Sequence, residues 1–303
     1  MSIFDTFKKK EEAASSVDGD SKKTSVHEEV TVVGKPESVT VSTHVDVVAV
    51  EPLKAAEEEE NLGKITPKNI GKLDMVIAFD TTGSMAMYID AVRKQVSELI
   101  PNLFKDNDDL RIGIVAFGDY CDMKDATTFG DAYQCIPPTN NENDLIKFVL
   151  ESKNTSGGDG PEFYELVLKK IIEETEWREG STRSILLISD AEPHELGYTF
   201  KDYVVGNQID WREEARKAAE MKIKVDTVTI RGLPWYKELS AMTNGVSVPF
   251  RSGEKTADLV YASVNARGSE KARLRFDEML ACCDDVEMKE VMESYLKERN
   301  EPY

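Results

Sequence analysis

The sequence has few residues of the kinds that build disulfide scaffolds or zinc knuckles: four cysteines and three histidines in 303 residues. Cys282 and Cys283 are adjacent, a spacing that suits neither a Cys-x-x-Cys redox pair nor a zinc knuckle. Cys121 and Cys135 flank one segment and could pair in an oxidising compartment. This cysteine usage favours a reduced protein with free thiols, so a cytoplasmic location is predicted.

Long apolar runs and an excess of basic residues are also missing. No run of about 18 apolar residues occurs, and the first residues, MSIFDTFKKK, lack the apolar core of a signal peptide. The 38 Lys and Arg are outnumbered by 57 Asp and Glu, giving a net charge of −19. Binding to nucleic acid or to an anionic membrane surface needs clustered basic side chains, so neither is expected. The acidity fits cation binding, solubility or a basic partner equally well.

Composition divides the chain into three regions. Residues 1–68 contain too few large apolar side chains to form a core, which predicts a mostly disordered tail with weak β tendency. Residues 69–265 carry the apolar patterns of one folded domain. Residues 266–303 have no strand signal and much charge, which predicts a C-terminal helical extension.

Within the middle region, strand and helix patterns alternate. LDMVIAF, LRIGIVAFGDY, SILLIS and IKVDTVTI are the near-continuous apolar runs of strands buried on both faces of a sheet. Between them lie helical patterns such as AMYIDAVRKQVSELIPNLF, and another that we predict to start at Pro161. This order predicts an α/β fold, with a doubly wound, mostly parallel sheet flanked by helices.

Oxygen-bearing side chains gather where three segments of this sheet end. In open α/β sheets, ligands bind at the carboxyl ends of the strands, so these side chains are candidates for one shared site. The candidates are Asp80, Thr82 and Ser84 in DTTGSM, Thr155, Ser156 and Asp159 in NTSGGDG, and Asp190 directly after SILLIS.

An all-oxygen set of this kind suits Mg²⁺, Mn²⁺ or Ca²⁺ rather than zinc or copper. A second interpretation stays open for the first cluster, because Asp, Thr and Ser are also favoured as caps of a following helix. The glycines of the second cluster do not form a phosphate-binding motif, since no Gly-Lys-Ser/Thr follows them.

The motifs DTTGSM, GGDGPE and SDAEPH, in this order, resemble those of the von Willebrand factor A (vWA) family, in a subgroup with DxTGS and GGDxPE motifs. The resemblance covers roughly residues 70–265. It implies a Rossmann-like fold and a metal-ion-dependent adhesion site (MIDAS), where a divalent cation keeps one position open for an Asp or Glu of a protein partner. The ligands that the resemblance implies are Asp80, Thr82, Ser84, Asp159 and Asp190, with Mg²⁺ (or Mn²⁺ or Ca²⁺) as the ion.

Asp159 departs from the family pattern, because many members have a metal-binding threonine there. As a ligand it would place three carboxylates around a doubly charged ion, and a partner's carboxylate would then gain less from the metal. If Asp159 points away, Thr155 or Ser156 supplies the hydroxyl instead. The sequence leaves both alternatives open.

Neighbouring residues have simpler interpretations. Glu162 fits the first turn of a helix or a place behind the metal ligands. Asp119, Asp122 and Asp125 are expected to form a solvated acidic edge, with a partner surface as the alternative. His194, in a loop, is expected to be exposed or hydrogen-bonding rather than chemically active.

Three classes of function follow from these residues. A non-enzymatic, metal-dependent module that binds another protein is the leading hypothesis. A structural subunit of a larger assembly, with an incidental metal, is the second. A phosphohydrolase with Asp80 as nucleophile is the third, and it is disfavoured because haloacid-dehalogenase-type enzymes need a second aspartate where this chain has Thr82.

Overall fold

The structure is a computed structural model that describes residues 71–125, 128–200, 203–204, 208–250 and 253–300. The tail predicted over residues 1–68 lies outside these residues. All described residues belong to one compact unit.

The described residues form eight strands, of which six build a central sheet. The strands are β1 (Lys72–Asp80), β2 (Asp109–Phe117), β3 (Tyr133–Thr139), β4 (Thr182–Ser189), β5 (Thr199–Phe200), β6 (Tyr203–Val204), β7 (Ile223–Thr229) and β8 (Ser247–Pro249). The sheet order is β3-β2-β1-β4-β7-β8, and only the β2–β3 pair is antiparallel. A separate β5–β6 hairpin follows β4. The predicted mostly parallel α/β sheet is confirmed.

Helices cover both faces of this sheet. In the described part of the chain they are α1 (Ile89–Asp106), α2 (Glu142–Glu151), α3 (Tyr164–Glu174), α4 (Trp211–Glu220), α5 (Pro234–Met242), α6 (Gly253–Arg267), α7 (Glu270–Ala281) and α8 (Val286–Asn300). None of these helices is long and apolar enough to cross a lipid bilayer.

Strand β1 shows why the apolar runs are continuous. Its side chains point alternately to the two faces, and both faces are covered. Met75, Ile77 and Phe79 belong to the core layer that also contains the apolar residues of α1 and α6. Val76 and Ala78 belong to the opposite layer, which contains those of α3, α4 and α5. The strand is therefore held rigidly, and Asp80 at its end is fixed in position.

The C-terminal helices pack against the sheet domain. Helix α6 contacts α1, and α7 and α8 contact α6. The predicted boundary between residues 265 and 266 falls inside α6, two residues before its end. Beyond that boundary, Arg267 forms buried ion pairs with Asp226 of β7 and Glu298 of α8. The last helices are therefore held to the sheet by ion pairs as well as by apolar packing.

Candidate metal centre

The turn after β1 folds around the carboxylate of Asp80. This side chain is fully buried, and its Oδ1 accepts hydrogen bonds from the backbone nitrogen and the hydroxyl of Thr82, at 2.8 and 2.7 Å. A short 3₁₀ turn, Gly83–Met85, follows at once. The turn presents Thr82 and Ser84 side by side, with their hydroxyl oxygens 3.2 Å apart.

Ser84 connects this turn to the end of β4. Its hydroxyl donates to Asp190 Oδ1 at 2.8 Å, across a separation of 106 residues. Asp190 is almost completely buried. Four of the sequence-predicted ligands therefore form one hydrogen-bonded chain, in the order Asp80, Thr82, Ser84 and Asp190.

The helix-capping interpretation of the first cluster is wrong for α1. The residue that caps α1 is Tyr88, and among the described residues no side chain caps that helix end. The short 3₁₀ turn also lacks a side-chain cap from Thr82. Because the oxygens of the first cluster face one another and Asp190, they do not serve the helix that follows.

Burial without a full counter-charge raises the pKa of Asp80 to about 6. Hydrogen bonds from Tyr164 and Thr82 oppose this rise, and the charge of Asp190 adds to it. Tyr164 donates its hydroxyl to Asp80 Oδ2 at 2.7 Å and accepts from the backbone nitrogen of Ala191 at 3.2 Å. Among the described residues, the exposed Arg231 forms an ion pair with this pair of carboxylates, 3.5 Å from Asp190 Oδ2.

Glu162 lies beside this cluster, and the helix predicted to start at Pro161 instead begins at Tyr164. The backbone nitrogen of Glu162 donates to the carbonyl of Glu192, and Glu162 forms an isolated parallel bridge with Pro193. This pairing between two loops holds the backbone extended, so the helix begins three residues later than predicted. The local sequence does not reveal this pairing, because Glu162 and Pro193 lie 31 residues apart.

The carboxyl of Glu162 is a buried group that lacks a counter-charge. Its Oε2 has no hydrogen-bond partner among the described residues. Burial, and then the charges of Asp80 and Asp119, raise its pKa to about 10. A divalent ion beside Asp80 would compensate the charges of the buried carboxylates of Asp80 and Asp190, so the chemistry of these residues fits such an ion.

The second predicted loop touches the first mainly through its backbone. Thr155 donates its backbone nitrogen to the carbonyl of Thr81, and their hydroxyl oxygens are 3.0 Å apart. The carbonyl of Ser156 accepts from the backbone nitrogen of Gly83 at 3.1 Å. Gly157 has a φ of +63°, and a Cβ there would lie 2.8 Å from Glu162 Oε1. In the described residues, neither hydroxyl of this loop joins the chain from Asp80 to Asp190.

Asp159 lies outside that hydrogen-bonded chain. It is exposed, and its Oδ2 accepts from the hydroxyl of Tyr198 at 3.2 Å. Its carboxylate lies with Asp119 and His194, with ligand atoms within 4.8 Å of one another. The expected solvated edge is wrong for Asp119, which is fully buried and whose Oδ1 accepts a 2.7 Å hydrogen bond from His194 Nε2. Sequence spacing gave no signal for this pairing, because 75 residues separate the two.

The raised carboxyl pKa values predict that the cation-free protein loses stability as the pH rises. Burial raises the pKa of Asp80 to about 6 and that of Glu165 to about 8. A carboxyl whose pKa is higher in the folded than in the unfolded protein stabilises the folded state at pH values below its unfolded-state pKa. This contribution to stability is lost as the pH rises through the folded-state pKa. We therefore expect the free energy of unfolding in EDTA, measured with urea, to fall between about pH 5 and pH 8.

Excess Mg²⁺ is the matched condition for this experiment. A bound cation stabilises ionised Asp80, so the decline with pH should become shallower when Mg²⁺ replaces EDTA. A free energy of unfolding that rises over the same pH range in EDTA would contradict the burial of these carboxyls without a counter-charge.

Comparison with known proteins identifies a protein family to which the sequence is similar. The family model of the von Willebrand factor type A domain matches residues 74–262. Alpha-protein kinase vwkA of Dictyostelium discoideum is 27% identical over 172 residues, which are 54% of this chain and 26% of that protein. The putative ariadne-like RING finger protein R811 of Acanthamoeba polyphaga mimivirus is 23% identical over 126 residues, 42% of this chain and 12% of that protein. The chain thus spans about a quarter or less of the length of these relatives.

Among solved structures, the conserved hypothetical protein BatB from Bacteroides thetaiotaomicron is similar at a TM-score of 0.45 and 15% sequence identity. The similarity covers 68% of this chain and 99% of the BatB chain.

Proposed function

Because the chain belongs to the von Willebrand factor type A domain family, whose domains commonly mediate contacts between proteins, we propose that it is a protein-interaction module that depends on a divalent cation. The cation would be Mg²⁺, or Mn²⁺ or Ca²⁺, at the carboxyl ends of β1 and β4. The residues that would hold it are Asp80, Thr82, Ser84 and Asp190.

The hydrogen-bonded chain of these four side chains is the observation that carries the proposal. Two buried carboxylates and two hydroxyls from distant parts of the sequence converge, and all their donor atoms are oxygens, the ligands that hard cations prefer. The partly exposed Arg231 is the only ion-pair partner of Asp190 among the described residues. A divalent ion would supply the missing positive charge and a coordination position for a carboxylate of the partner.

The position of Asp159 favours an acidic group on the partner. With Asp80 and Asp190 as the two carboxylates of the donor set, their charges and that of a divalent ion balance, so a further Asp or Glu is still attracted to the metal. Had Asp159 joined them, the site would be anionic before the partner arrived. Its contacts with Tyr198 and its place beside Asp119 and His194 support the two-carboxylate alternative.

Two exposed apolar side chains flank the same loops. Met87, three residues after Ser84, is 88% exposed, and Leu196, six residues after Asp190, is 59% exposed. They would give a partner contacts that do not depend on the metal.

The buried position of Asp80 argues against the hydrolase alternative. A nucleophilic carboxylate has to reach its substrate, whereas Asp80 is fully buried and both of its oxygens accept hydrogen bonds. The kinase and RING finger names belong to relatives of which this chain spans a small part. We therefore propose a non-enzymatic role.

Affinity capture with the full chain as bait tests the proposal. We expect proteins retained in Mg²⁺ to be released by EDTA and to be missing from captures with Ser84→Ala, because this change removes one hydroxyl ligand without disturbing the core. Ser97→Ala is the matched control, since Ser97 lies on α1 and bonds only to the carbonyl of Lys94 in the described residues.

Quantitative mass spectrometry of the four captures gives the readout. Retention that is equal with Mg²⁺, with EDTA and with Ser84→Ala would refute metal-dependent binding and favour the scaffold alternative.

A further inference from the structure

Three loops bring a second set of potential metal ligands together at the same edge of the sheet. Asp119 follows β2, Asp159 lies in the loop before α3, and His194 follows β4. The ligand atoms of these three side chains lie within 4.8 Å of one another. None of them joins the hydrogen-bonded chain from Asp80 to Asp190.

The carboxylate of Asp119 is incompletely satisfied for a group that is fully buried. Its Oδ1 lies 2.7 Å from His194 Nε2, but its Oδ2 has no hydrogen-bond partner among the described residues. Within those residues, no lysine or arginine forms an ion pair with Asp119 or Asp159. A buried carboxylate oxygen without a donor is costly, and a bound cation would remove that cost.

Aromatic packing holds the imidazole of His194 in place. The ring stacks on Tyr198 with centroids 3.5 Å apart, and Tyr120 packs nearby at 5.5 Å. The hydroxyl of Tyr198 donates to Asp159 Oδ2, so the residue that orients the imidazole also holds the exposed carboxylate. The backbone nitrogen of His194 donates a hydrogen bond to Glu165 Oε2 at 3.3 Å. These contacts hold the ring beside the two carboxylates, while its Nδ1 has no hydrogen-bond partner among the described residues.

The donor types differ from those of the first centre and select a different ion. One imidazole nitrogen and two carboxylates suit Zn²⁺, which accepts both kinds of ligand and often keeps a fourth position open. Two ligands of a tetrahedral zinc ion lie about 3.3 Å apart, so a bound ion would replace the 2.7 Å hydrogen bond between Asp119 and His194 with a slightly longer separation. The two carboxylate charges also balance a divalent ion.

We propose that Asp119, Asp159 and His194 form a second cation site, for Zn²⁺, separate from the Asp80 centre. The proposal stands independently of the proposed protein-binding function, because it rests on residues that the first centre does not use. It also gives Asp159 a role that its departure from the family's threonine leaves unexplained.

Titration of the full chain with Zn²⁺, in excess Mg²⁺ and in competition with a chromophoric chelator, tests this site. We expect one tightly bound Zn²⁺ per chain, with an affinity at least about tenfold lower in both Asp159→Asn and His194→Gln. Asp159 is exposed, so its variant tests the site even if the change at buried His194 impairs folding. Asp108→Asn is the matched control, because Asp108 is an exposed aspartate next to the start of β2, at the other edge of the sheet.

Several outcomes would overturn the inference. One is a folded wild-type protein that binds no Zn²⁺. Another is an affinity for Zn²⁺ that Asp159→Asn leaves unchanged, which would place the ion elsewhere, for example on the exposed thiols of Cys135 and Cys282. Weaker Mg²⁺ binding by Asp159→Asn, with Zn²⁺ binding intact, would assign Asp159 to the first centre.

The two proposals can fail separately. Failure of Mg²⁺ to bind the wild type, with Zn²⁺ bound as expected, would refute the proposed function and leave the zinc site supported.

Discussion

Asp80→Asn is expected to weaken Mg²⁺ binding by about 100-fold or more while making the cation-free protein more stable. Loss of a supporting residue typically lowers metal affinity by about 10- to 100-fold, so loss of a ligand charge should lower it by about 100-fold or more. Burial raises the pKa of Asp80 to about 6, so ionising this carboxyl at pH 8 opposes folding. The neutral amide removes that penalty, but its nitrogen cannot accept the hydrogen bond that Tyr164 donates, so we expect a net gain of about 1 kcal/mol in EDTA at pH 8. Calorimetric titration and urea unfolding measure the two effects.

Asp74→Asn is the matched control, because Asp74 is also a fully buried aspartate of β1, near the opposite end of the strand. Burial alone would raise its pKa, but hydrogen bonds from Arg111 and Arg178 keep the pKa below its usual value. Its replacement should therefore lower stability and leave Mg²⁺ affinity unchanged. Mg²⁺ affinity that Asp80→Asn leaves unchanged would contradict the assignment of the first centre.

Arg267→Ala is expected to destabilise the protein by about 3–5 kcal/mol, the cost of leaving buried charges without their partner. The guanidinium of Arg267 is 3% exposed and contacts Asp226, which is completely buried, and Glu298. It also donates to the hydroxyl of Ser263 at 2.9 Å. Removing it leaves the buried carboxylate of Asp226, in the middle of β7, without an ion-pair partner among the described residues, whereas Glu298 keeps its ion pair with Lys224. The midpoint of urea unfolding, followed by circular dichroism, measures the loss.

Arg299→Ala is the matched control in the C-terminal helices, since Arg299 of α8 pairs with the half-exposed Asp277 of α7 at 2.9 Å. We expect it to cost no more than about 1 kcal/mol. The double variant Arg267→Ala with Asp226→Asn should cost less than the sum of its single changes, because the two groups interact directly. A cost of less than about 1 kcal/mol for Arg267→Ala would show that the C-terminal helices are not held to the sheet by this charge network.

Much of the fold could be predicted because buried parallel strands have a strong sequence pattern. The apolar runs of β1, β2, β4 and β7 are each buried on both faces, so their residues could not be mistaken for a polar-faced strand. The sequence of helix α6 has no comparable pattern from which the helix could be predicted. Its described residues from Asp258 to Ala266 are all buried, and a helix that is buried all round has no polar face to reveal its period.

The residues of the candidate metal centre could likewise be predicted only in part. Asp80 and Asp190 could be placed because each directly follows a recognisable strand, and parallel strands end at one edge of the sheet. Asp159 could not, because its loop has no regular structure and its position depends on contacts with Tyr198. The pairing of Asp119 with His194 was equally hidden, since the sequence shows neither the burial of a loop histidine nor its distant partner.

A crystal structure of the protein grown with Mn²⁺, with anomalous scattering measured at the manganese edge, tests the central claim most directly. The account predicts an anomalous peak within coordination distance of the hydroxyl oxygens of Thr82 and Ser84, with the hydrogen bond from Ser84 to Asp190 replaced by contacts to the ion. Mn²⁺-saturated crystals in which that hydrogen bond persists and no peak lies beside Ser84 would contradict it.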